Sequence, residues 1–270
     1  QFTVKTTDGT LSIAARHVTV SVADAEDVEY DGSEHEGVTT YTFSNVATGD
    51  TASITYTAAK GTLVDTYTGS YGEDFAVENG DGDDVTSNYV LDSKTPGKLT
   101  IKDRTEKYEI TVVANSNTGN TYDGTSKSAT GFVTTTFTVD GNTYTVEGLT
   151  TSDPSSINVC SLTNAISGTA VVKDAAGNDV TSQFTVNTTN GTLSIVARHV
   201  TVSVADAEDV EYDGSEHEGV TTYTFSNVAT GDTASITYTA AKGTLVDTYT
   251  GSYGEDFAVK NGDDADVTSN

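Results

Sequence analysis

The chain has 270 residues and a formal net charge of −27 at pH 7, from 40 Asp and Glu residues against 13 Lys and Arg residues. This charge argues against nucleic acid and anionic membrane surfaces as partners, since both bind through clusters of Lys and Arg. The single cysteine, Cys160, excludes an internal disulfide framework, and no apolar run approaches the ~20 residues of a transmembrane helix, which predicts no membrane insertion of this segment.

A long repeat dominates the sequence. Residues 1–88 recur as residues 183–270, without a gap. The two copies differ only at Lys5/Asn187, Asp8/Asn190, Ala14/Val196, Glu78/Lys260, Gly82/Asp264 and Asp83/Ala265. Near-identical arrays mostly provide length, rigidity or many weak binding sites. Because catalysis seldom needs two copies of one surface, we expect no enzyme activity.

A weaker repeat inside the first defines modules of about 90 residues, a usual domain size. Ile101–Gly124 is similar to Ile13–Gly32, and Asp179–Ile195 is similar to Asp84–Ile101. The predicted boundaries are residues 1–13, the closing hairpin of a preceding B-type module; residues 14–101, module A; residues 102–195, module B; and residues 196–270, a copy of module A that lacks its closing hairpin.

Alternating Val, Ile, Thr, Tyr and Phe residues predict strands throughout, and helical periodicity is nearly absent. Phe2–Ile13 reads as a hairpin around an Asp-Gly pair, and Val18–Val22 as a strand with three valines on one face. Phe132–Val146 is the clearest hairpin, because Asp140-Gly141 tolerates the positive φ angles of a type I′ turn. Phe184–Ile195 repeats the first hairpin with Asn-Gly at its centre.

The fold class that follows is all-β. Thr favours strands through its branched Cβ and keeps the outer face of a sheet hydrated. With about six or seven short strands in each module, we expect tandem small β-sandwich (Ig-like) modules in a linear array. A β-grasp-like module is the alternative.

The junctions between modules contain no Gly-, Ser- or Pro-rich linker. Leu11-Ser12-Ile13 is followed by Val18-Thr19-Val20 after only four residues, which predicts restricted hinge motion and a stiff, extended rod. An arginine recurs at this point as Arg16, Arg104 and Arg198. We expect it to pack its stem across the junction or to pair with an acid.

The motifs resemble the MBG/YDG-type tandem repeats of large surface proteins of Gram-positive bacteria. The resemblance rests on three Tyr-Asp-Gly motifs near the module starts, on Val172–Ser182, and on the closing Gly-x-Leu-x-Ile pattern. The Tyr-Asp-Gly motifs are Tyr30-Asp31-Gly32, Tyr122-Asp123-Gly124 and Tyr212-Asp213-Gly214. The resemblance implies an extracellular, cell-surface stalk or adhesin, sometimes associated with mucin, without catalysis.

One acidic loop is a candidate metal site. Asn79, Asp81, Asp83 and Asp84 alternate with glycines, as in the first half of an EF-hand loop, and carboxylates suit Ca²⁺. The alternative is a solvated turn, because the second copy shifts one of these acids to a neighbouring position. No other cofactor is predicted.

The main functional hypothesis is a structural repeat region of a long extracellular stalk or fibre, a rigid spacer and possible adhesin. The alternative is a module that binds mucin, other glycans or host proteins through repeated faces. Carbohydrate sites usually expose aromatic platforms, but the chain has no Trp and its Tyr residues are spaced like strand residues, which favours the stalk.

The sequence begins and ends at the same phase of the repeat, since Asn270 aligns with Asn88. Two explanations fit: a window from a continuous chain, or a subunit that donates its first strands to another, as in donor-strand fibres. Both predict head-to-tail contact between identical modules, in which Phe2, Val4, Leu11 and Ile13 cover the core of residues 196–270.

A protein of residues 1–270 is expected to scatter X-rays as a rod roughly three domains long, because no flexible linker separates its modules. Small-angle X-ray scattering measures this directly. Compact or widely distributed shapes would contradict the prediction.

Overall fold

Short strands are the main regular structure of the fold. The computed structural model describes residues 1–270, and its only helical segments are two 3-10 turns, Thr86–Asn88 and Thr181–Gln183. Neither turn has the length or apolarity to cross a membrane. The all-β prediction is confirmed.

The strands of the first A module lie between residues 16 and 102. They are β1 (Arg16–Ser21), β2 (Val28–Glu29), β3 (His35–Glu36), β4 (Thr42–Ser44), β5 (Thr51–Ser53), β6 (Tyr56–Thr57), β7 (Lys60–Gly61), β8 (Asp65–Thr68), β9 (Ser70–Tyr71), β10 (Ala76–Glu78), β11 (Tyr89–Thr95) and β12 (Lys98–Lys102).

The remaining strands lie in module B and in the last copy of module A. In module B they are β13 (Tyr108–Val113), β14 (Asn117–Thr121), β15 (Lys127–Ser128), β16 (Thr136–Val139), β17 (Asn142–Thr151), β18 (Ser155–Ser156), β19 (Cys160–Asn164), β20 (Ile166–Lys173), β21 (Phe184–Thr189) and β22 (Gly191–Val196). In the last copy they are β23 (Thr201–Val204), β24 (His217–Glu218), β25 (Tyr223–Ser226), β26 (Thr233–Ser235), β27 (Tyr238–Thr239), β28 (Lys242–Gly243), β29 (Ser252–Tyr253) and β30 (Ala258–Lys260).

Contacts divide the chain into two compact units. The first contains Gln1–Tyr108, Thr138–Thr145 and Val172–Thr185, and the second contains Glu109–Phe137, Val146–Val171 and Val186–Asn270. These units do not coincide with the repeats, because each takes residues from module B. The boundaries drawn from the repeats therefore stay predictions.

Period-two alternation builds the core of the first copy, as the sequence predicts. Val18, Val20 and Val22 are all buried. Val18 packs with Val77 and Tyr89 in one hydrophobic cluster. Removing such side chains from water supplies the main driving force for a fold of short strands.

Strands from the two ends of the first copy pair with each other. Strand β1 runs parallel to β11, from Arg16 opposite Tyr89 to Ser21 opposite Thr95, and antiparallel to β4 on its other edge. Strand β12 runs parallel to β2 and antiparallel to β8. Module B repeats this arrangement, since β22 runs parallel to β14 and antiparallel to β19.

The predicted hairpins have different outcomes. The hairpin over Phe132–Val146 is confirmed, because β16 and β17 are neighbours in one sheet and both turn residues, Asp140 (φ 48°) and Gly141 (φ 83°), have the positive φ of a type I′ turn. The hairpin over Phe184–Ile195 is wrong, because β21 pairs with β13 whereas β22 lies between β14 and β19. The corresponding closing segment Tyr89–Ile101 likewise sends its two arms, β11 and β12, to different sheets.

Close backbone approach, not turn geometry, explains the glycine in this segment. A Cβ on Gly191 would lie 2.1 Å from the carbonyl oxygen of Asn115, and one on Gly97 would lie 2.6 Å from that of Ala23. A glycine permits the chain to cross closely over another strand on its way to the second sheet.

The predicted hairpin over Phe2–Ile13 is also wrong. These residues form no strand, and their apolar side chains are exposed, including Phe2, Val4, Leu11 and Ile13. In module B, the matching residues become strands by pairing with β13, β14 and β19. No strand of residues 1–270 pairs with the first 13 residues.

The substitution Gly191→Ala is expected to lower the free energy of unfolding by about 1–3 kcal/mol, because the backbone of Asn115 must move away from the new methyl group. Urea unfolding followed by circular dichroism measures the change. Gly9→Ala is the matched control at the same repeat position, where no other atom lies within 4 Å of the new Cβ. Equal effects of the two substitutions would contradict the explanation.

Candidate functional sites

The acidic loop at Asn79–Asp84 is organised around one side-chain oxygen. Asn79 Oδ1 accepts hydrogen bonds from the backbone N–H groups of Asp81 (3.0 Å) and Asp83 (2.9 Å). Gly82 occupies the positive-φ position of the loop (φ 85°). Asp84 Oδ1 accepts the N–H of Thr86 at 2.9 Å, and hydrogen bonding to the Thr86 side chain, followed by that to its N–H, holds the pKa of Asp84 below its usual range.

The same loop occurs in all three modules with different side chains. In module B, Asp174 Oδ1 accepts the N–H groups of Ala176 and Asn178 at 2.9 and 2.8 Å. In the last copy, Asn261 Oδ1 accepts those of Asp263 and Ala265 at 3.1 and 2.9 Å. The shared element is therefore an acceptor of backbone hydrogen bonds, a role that Asn and Asp both perform in turns.

The loop does not collect its carboxylates around a common point. No three His, Cys, Asp or Glu side chains are grouped so that they could hold a metal ion. In the last copy, Asp264 instead pairs with Lys260 Nζ at 2.8 Å. The calcium site of Asn79, Asp81, Asp83 and Asp84 stays a prediction.

A second acidic stretch, residues 24–31, uses its carboxylates in contacts with residues far away in the sequence. Asp24 Oδ1 accepts the N–H of Lys98 at 2.8 Å, and Asp27 pairs with Lys102. Glu29 Oε1 accepts the hydroxyl of Thr105 at 2.6 Å, and this hydrogen bond lowers the pKa of Glu29. These contacts attach the acidic stretch to strand β12 and to the segment that follows it.

In the first unit, the recurring arginine binds the Tyr-Asp-Gly turn. Arg104 Nη1 donates to the carbonyl oxygen of Tyr30 and to the hydroxyl of Tyr108, both at 3.1 Å, and its guanidinium lies 3.9 Å above the ring of Tyr108. The Arg104 Nε group donates to the carbonyl oxygen of Glu106 at 2.9 Å. Of the two expected roles, packing across the junction or pairing with an acid, the second is replaced by hydrogen bonds to carbonyl oxygens, because the turn presents its backbone to the guanidinium.

Tyr30 itself is buried against the β17 segment. Its hydroxyl lies 3.4 Å from that of Tyr144. Burial is the larger cause, and this contact the second, of a Tyr30 pKa well above its ordinary value. Gly32 is required here, because a Cβ would lie 2.3 Å from the Tyr144 hydroxyl. Burial, together with a hydrogen bond to Asp140, raises the pKa of neighbouring Tyr108 to about 12.

Gln183 also holds the segment around Arg104, a role that was not predicted from the sequence. Its side chain is almost fully buried, its Oε1 accepts the N–H of Arg104 at 2.9 Å, and its Nε2 donates to Asp103 Oδ1 at 2.5 Å. A signal was present, because an amide side chain recurs at this repeat position as Asn88, Gln183 and Asn270.

The second unit repeats the arrangement with other residues. Arg198 Nε donates to the carbonyl oxygen of Tyr122 at 2.6 Å, and Arg198 Nη1 donates to Asn227 Oδ1 at 2.8 Å. Asn270 Oδ1 accepts the N–H of Val159 at 2.8 Å. In both units, therefore, the arginine at the start of one module donates to the Tyr carbonyl of the preceding Tyr-Asp-Gly motif.

The histidine His17 and the single cysteine Cys160 each make contacts within their own unit. The exposed ring of His17 hydrogen-bonds Asp92 at 2.8 Å within module A. Cys160 is partly buried on β19 and packs against a hydrophobic cluster that includes Tyr122 and Ile195. These contacts are structural in kind.

Arg104→Ala is expected to lower the free energy of unfolding by about 1–3 kcal/mol, because it leaves the Tyr30 carbonyl without its donor and removes the stacking on Tyr108. Arg16→Ala is the matched control: Arg16 donates only to Asn45, and its loss should cost about 1 kcal/mol or less. Chemical unfolding of both variants measures the two losses in free energy of unfolding. Equal losses would show that the Tyr carbonyl contact adds nothing.

Calorimetric titration with Ca²⁺ up to ~1 mM, the affinity range of weak extracellular modules, tests the acidic loop. Because Asn79 Oδ1 is already occupied by two backbone N–H groups, we expect no saturable heat and little change in Tm. A stoichiometric isotherm that disappears in Asp81→Asn would instead establish the calcium site.

Comparisons with known proteins assign no family to this chain. No protein-family model matches it, and no curated protein is similar to it. The resemblance to MBG/YDG-type repeats therefore stays a prediction from motifs, and function is argued from the geometry.

Proposed function

We propose that this chain is a structural repeat region of a long extracellular stalk or fibre on a bacterial cell surface, with a spacer role and no catalysis. The observation that carries the proposal is the reused junction. The Arg104 guanidinium donates to the carbonyl oxygen of Tyr30 in one unit, and the Arg198 guanidinium donates to that of Tyr122 in the other. A contact that recurs with the repeat supports an array assembled from one standard connection.

The strand pairing supports tandem small β-sandwich modules. In the first copy, β11, β1 and β4 form one three-stranded sheet, and β2, β12 and β8 form another. The closing segment sends one arm to each sheet, so a single stretch of chain ties both sheets together. Two sheets tied by one closing segment agree with the expected sandwich, although the parallel pairs β1–β11 and β2–β12 differ from the antiparallel sheets of an Ig domain.

The high negative surface charge supports the proposed spacer role. The net charge is −27, and most of the acidic side chains lie on the surface. Like charge of this size keeps neighbouring fibres apart and in solution. Because many carboxylates also accept local backbone hydrogen bonds, the acidity serves the turns as well as the surface.

The surface location is tested with antibodies against module B, which has no second copy in the chain. Intact, unpermeabilised cells that produce the protein are expected to be labelled at their surface. Labelling only after permeabilisation would overturn the proposal. A glycan array probed with the same protein checks the role: saturable binding to mucin-type glycans would replace the spacer function with an adhesive one.

A further inference from the structure

The acidic loop of module A contains an asparagine followed directly by glycine, a pair that readily forms a cyclic imide. In that reaction the backbone nitrogen of the glycine attacks Cγ of the asparagine side chain, and the missing Cβ of glycine leaves the nitrogen accessible. The chain has three such pairs: Asn79-Gly80, Asn190-Gly191 and Asn261-Gly262. Because the dipeptide is the same in each, the surrounding fold decides which of them reacts.

Two backbone N–H groups surround the amide oxygen of Asn79. Those of Asp81 and Asp83 donate to Asn79 Oδ1 at 3.0 and 2.9 Å. The last copy has the same arrangement at Asn261, with distances of 3.1 and 2.9 Å. Attack on Cγ places negative charge on this oxygen, and fixed donors at about 2.7–3.1 Å stabilise such an oxyanion. The loop therefore provides an oxyanion hole for the side chain that it encloses.

The attacking nitrogen is accessible in both loops. Gly80 and Gly262 are exposed, and within the chain their N–H groups donate no hydrogen bond. The Asn79 Nδ2 group, which would leave as ammonia, donates to Asp83 Oδ2 at 3.4 Å. The amide of Asn79 is thus held with its oxygen toward the two backbone donors, and no strand has to open before the nitrogen can attack.

The third pair, Asn190-Gly191, has neither feature. Asn190 Oδ1 accepts a single N–H, from Ile166 at 2.9 Å. Gly191 is buried in strand β22 opposite Asn164, and a Cβ on it would lie 2.1 Å from the carbonyl oxygen of Asn115. Movement of the Gly191 nitrogen toward the Asn190 side chain therefore requires local opening of the sheet.

We propose that Asn79 and Asn261 are autocatalytic deamidation sites, at which the folded loop accelerates loss of the side-chain amide. The Gly80 nitrogen forms a bond to Asn79 Cγ and gives its proton to solvent. The Cγ–Nδ2 bond breaks, and the leaving nitrogen takes up a proton from solvent and departs as ammonia. Water then opens the cyclic imide, at Cγ to give aspartate or at the backbone carbonyl carbon to give isoaspartate. This chemistry follows from the loop geometry and does not depend on the proposed spacer role.

The aspartate product fits the loop, because module B has Asp174 at the position of Asn79. Asp174 Oδ1 accepts the N–H groups of Ala176 and Asn178 at 2.9 and 2.8 Å. Deamidation to aspartate therefore adds one negative charge to a module A loop and keeps its hydrogen bonds. In a long-lived protein, the charge of these two loops would increase with age.

The test measures deamidation of the 270-residue protein at neutral pH by mass-spectrometric peptide mapping, with two synthetic peptides as references without the fold. The peptides AVENGDGDDVTS and FTVNTTNGTLSI copy residues 76–87 and 184–195. Asn79 is expected to react about tenfold faster in the protein than in its peptide, because the oxyanion donors are already in place. Asn190 is expected to react about tenfold more slowly in the protein than in its peptide, because the sheet must open first. Peptide mapping distinguishes the two module A loops, which differ at Glu78/Lys260, Gly82/Asp264 and Asp83/Ala265.

Gly80→Ala is the matched variant, because module B has Ala175 at this position and the nearest atom to the new Cβ, the carbonyl oxygen of Gly49, lies 3.4 Å away. It should keep the Tm and slow deamidation at Asn79 about tenfold by hindering the attacking nitrogen. Asn261 in the same molecule is the internal control and should keep its rate. An Asn79 that reacts no faster in the protein than in its peptide, an Asn190 that reacts as fast as Asn79, or an unchanged rate in Gly80→Ala would each overturn the proposal.

Discussion

The pairing of strands from opposite ends of each repeat holds the modules together. Strand β1 has β11 as its parallel neighbour, β2 has β12, and in module B β14 has β22. Parallel pairs cannot be joined by a tight turn, so the whole module must lie between the two partners. The last strands therefore complete both sheets at once, and the module is finished only when its final segment is in place.

Several acidic residues stabilise turns of this fold by accepting hydrogen bonds from nearby backbone N–H groups. Asp84, Asp179 and Asp266 each accept the N–H of a threonine two residues later, and their hydrogen bonds to that threonine lower the pKa of each carboxyl. A lowered pKa in the folded state means that the contribution to stability is present above the ordinary carboxyl pKa and is lost as pH falls through the folded value. The turns and the negative surface charge thus persist together at neutral pH.

Local features were predictable from the sequence, and features that depend on distant chain segments were not. Val18–Val22 and Asp140-Gly141 encode their structure in adjacent residues, and both were predicted correctly. Asn190-Gly191 looks like a hairpin turn, but its glycine is needed because the backbone at Asn115 passes close by. Nothing near Gly191 in the sequence signals that approach.

The candidate sites also depend on contacts that the sequence pattern does not show. The recurrence of Arg104 and Arg198 marked the junction, but their partner is a carbonyl oxygen, which every residue carries and no sequence pattern distinguishes. The loop at Asn79 looked like a ligand set because its acids alternate with glycines. Its organising contact, from the Asn79 side chain to two backbone N–H groups, appears only once the loop is closed.

The alternation of modules has a consequence for how the nascent chain finds its native pairing. The strands at the start of one copy of module A have nearly the same sequence as those of the other copy, so a strand from one copy is a competent partner for the other. Misassembly between identical neighbouring domains is a characteristic failure of repeat proteins. Module B separates the two copies with a different sequence, and during synthesis from the N-terminus the first copy is released with its own closing strands before the rival strands of the second copy exist. The order of modules therefore favours correct strand pairing during synthesis, although the two copies have nearly the same surfaces.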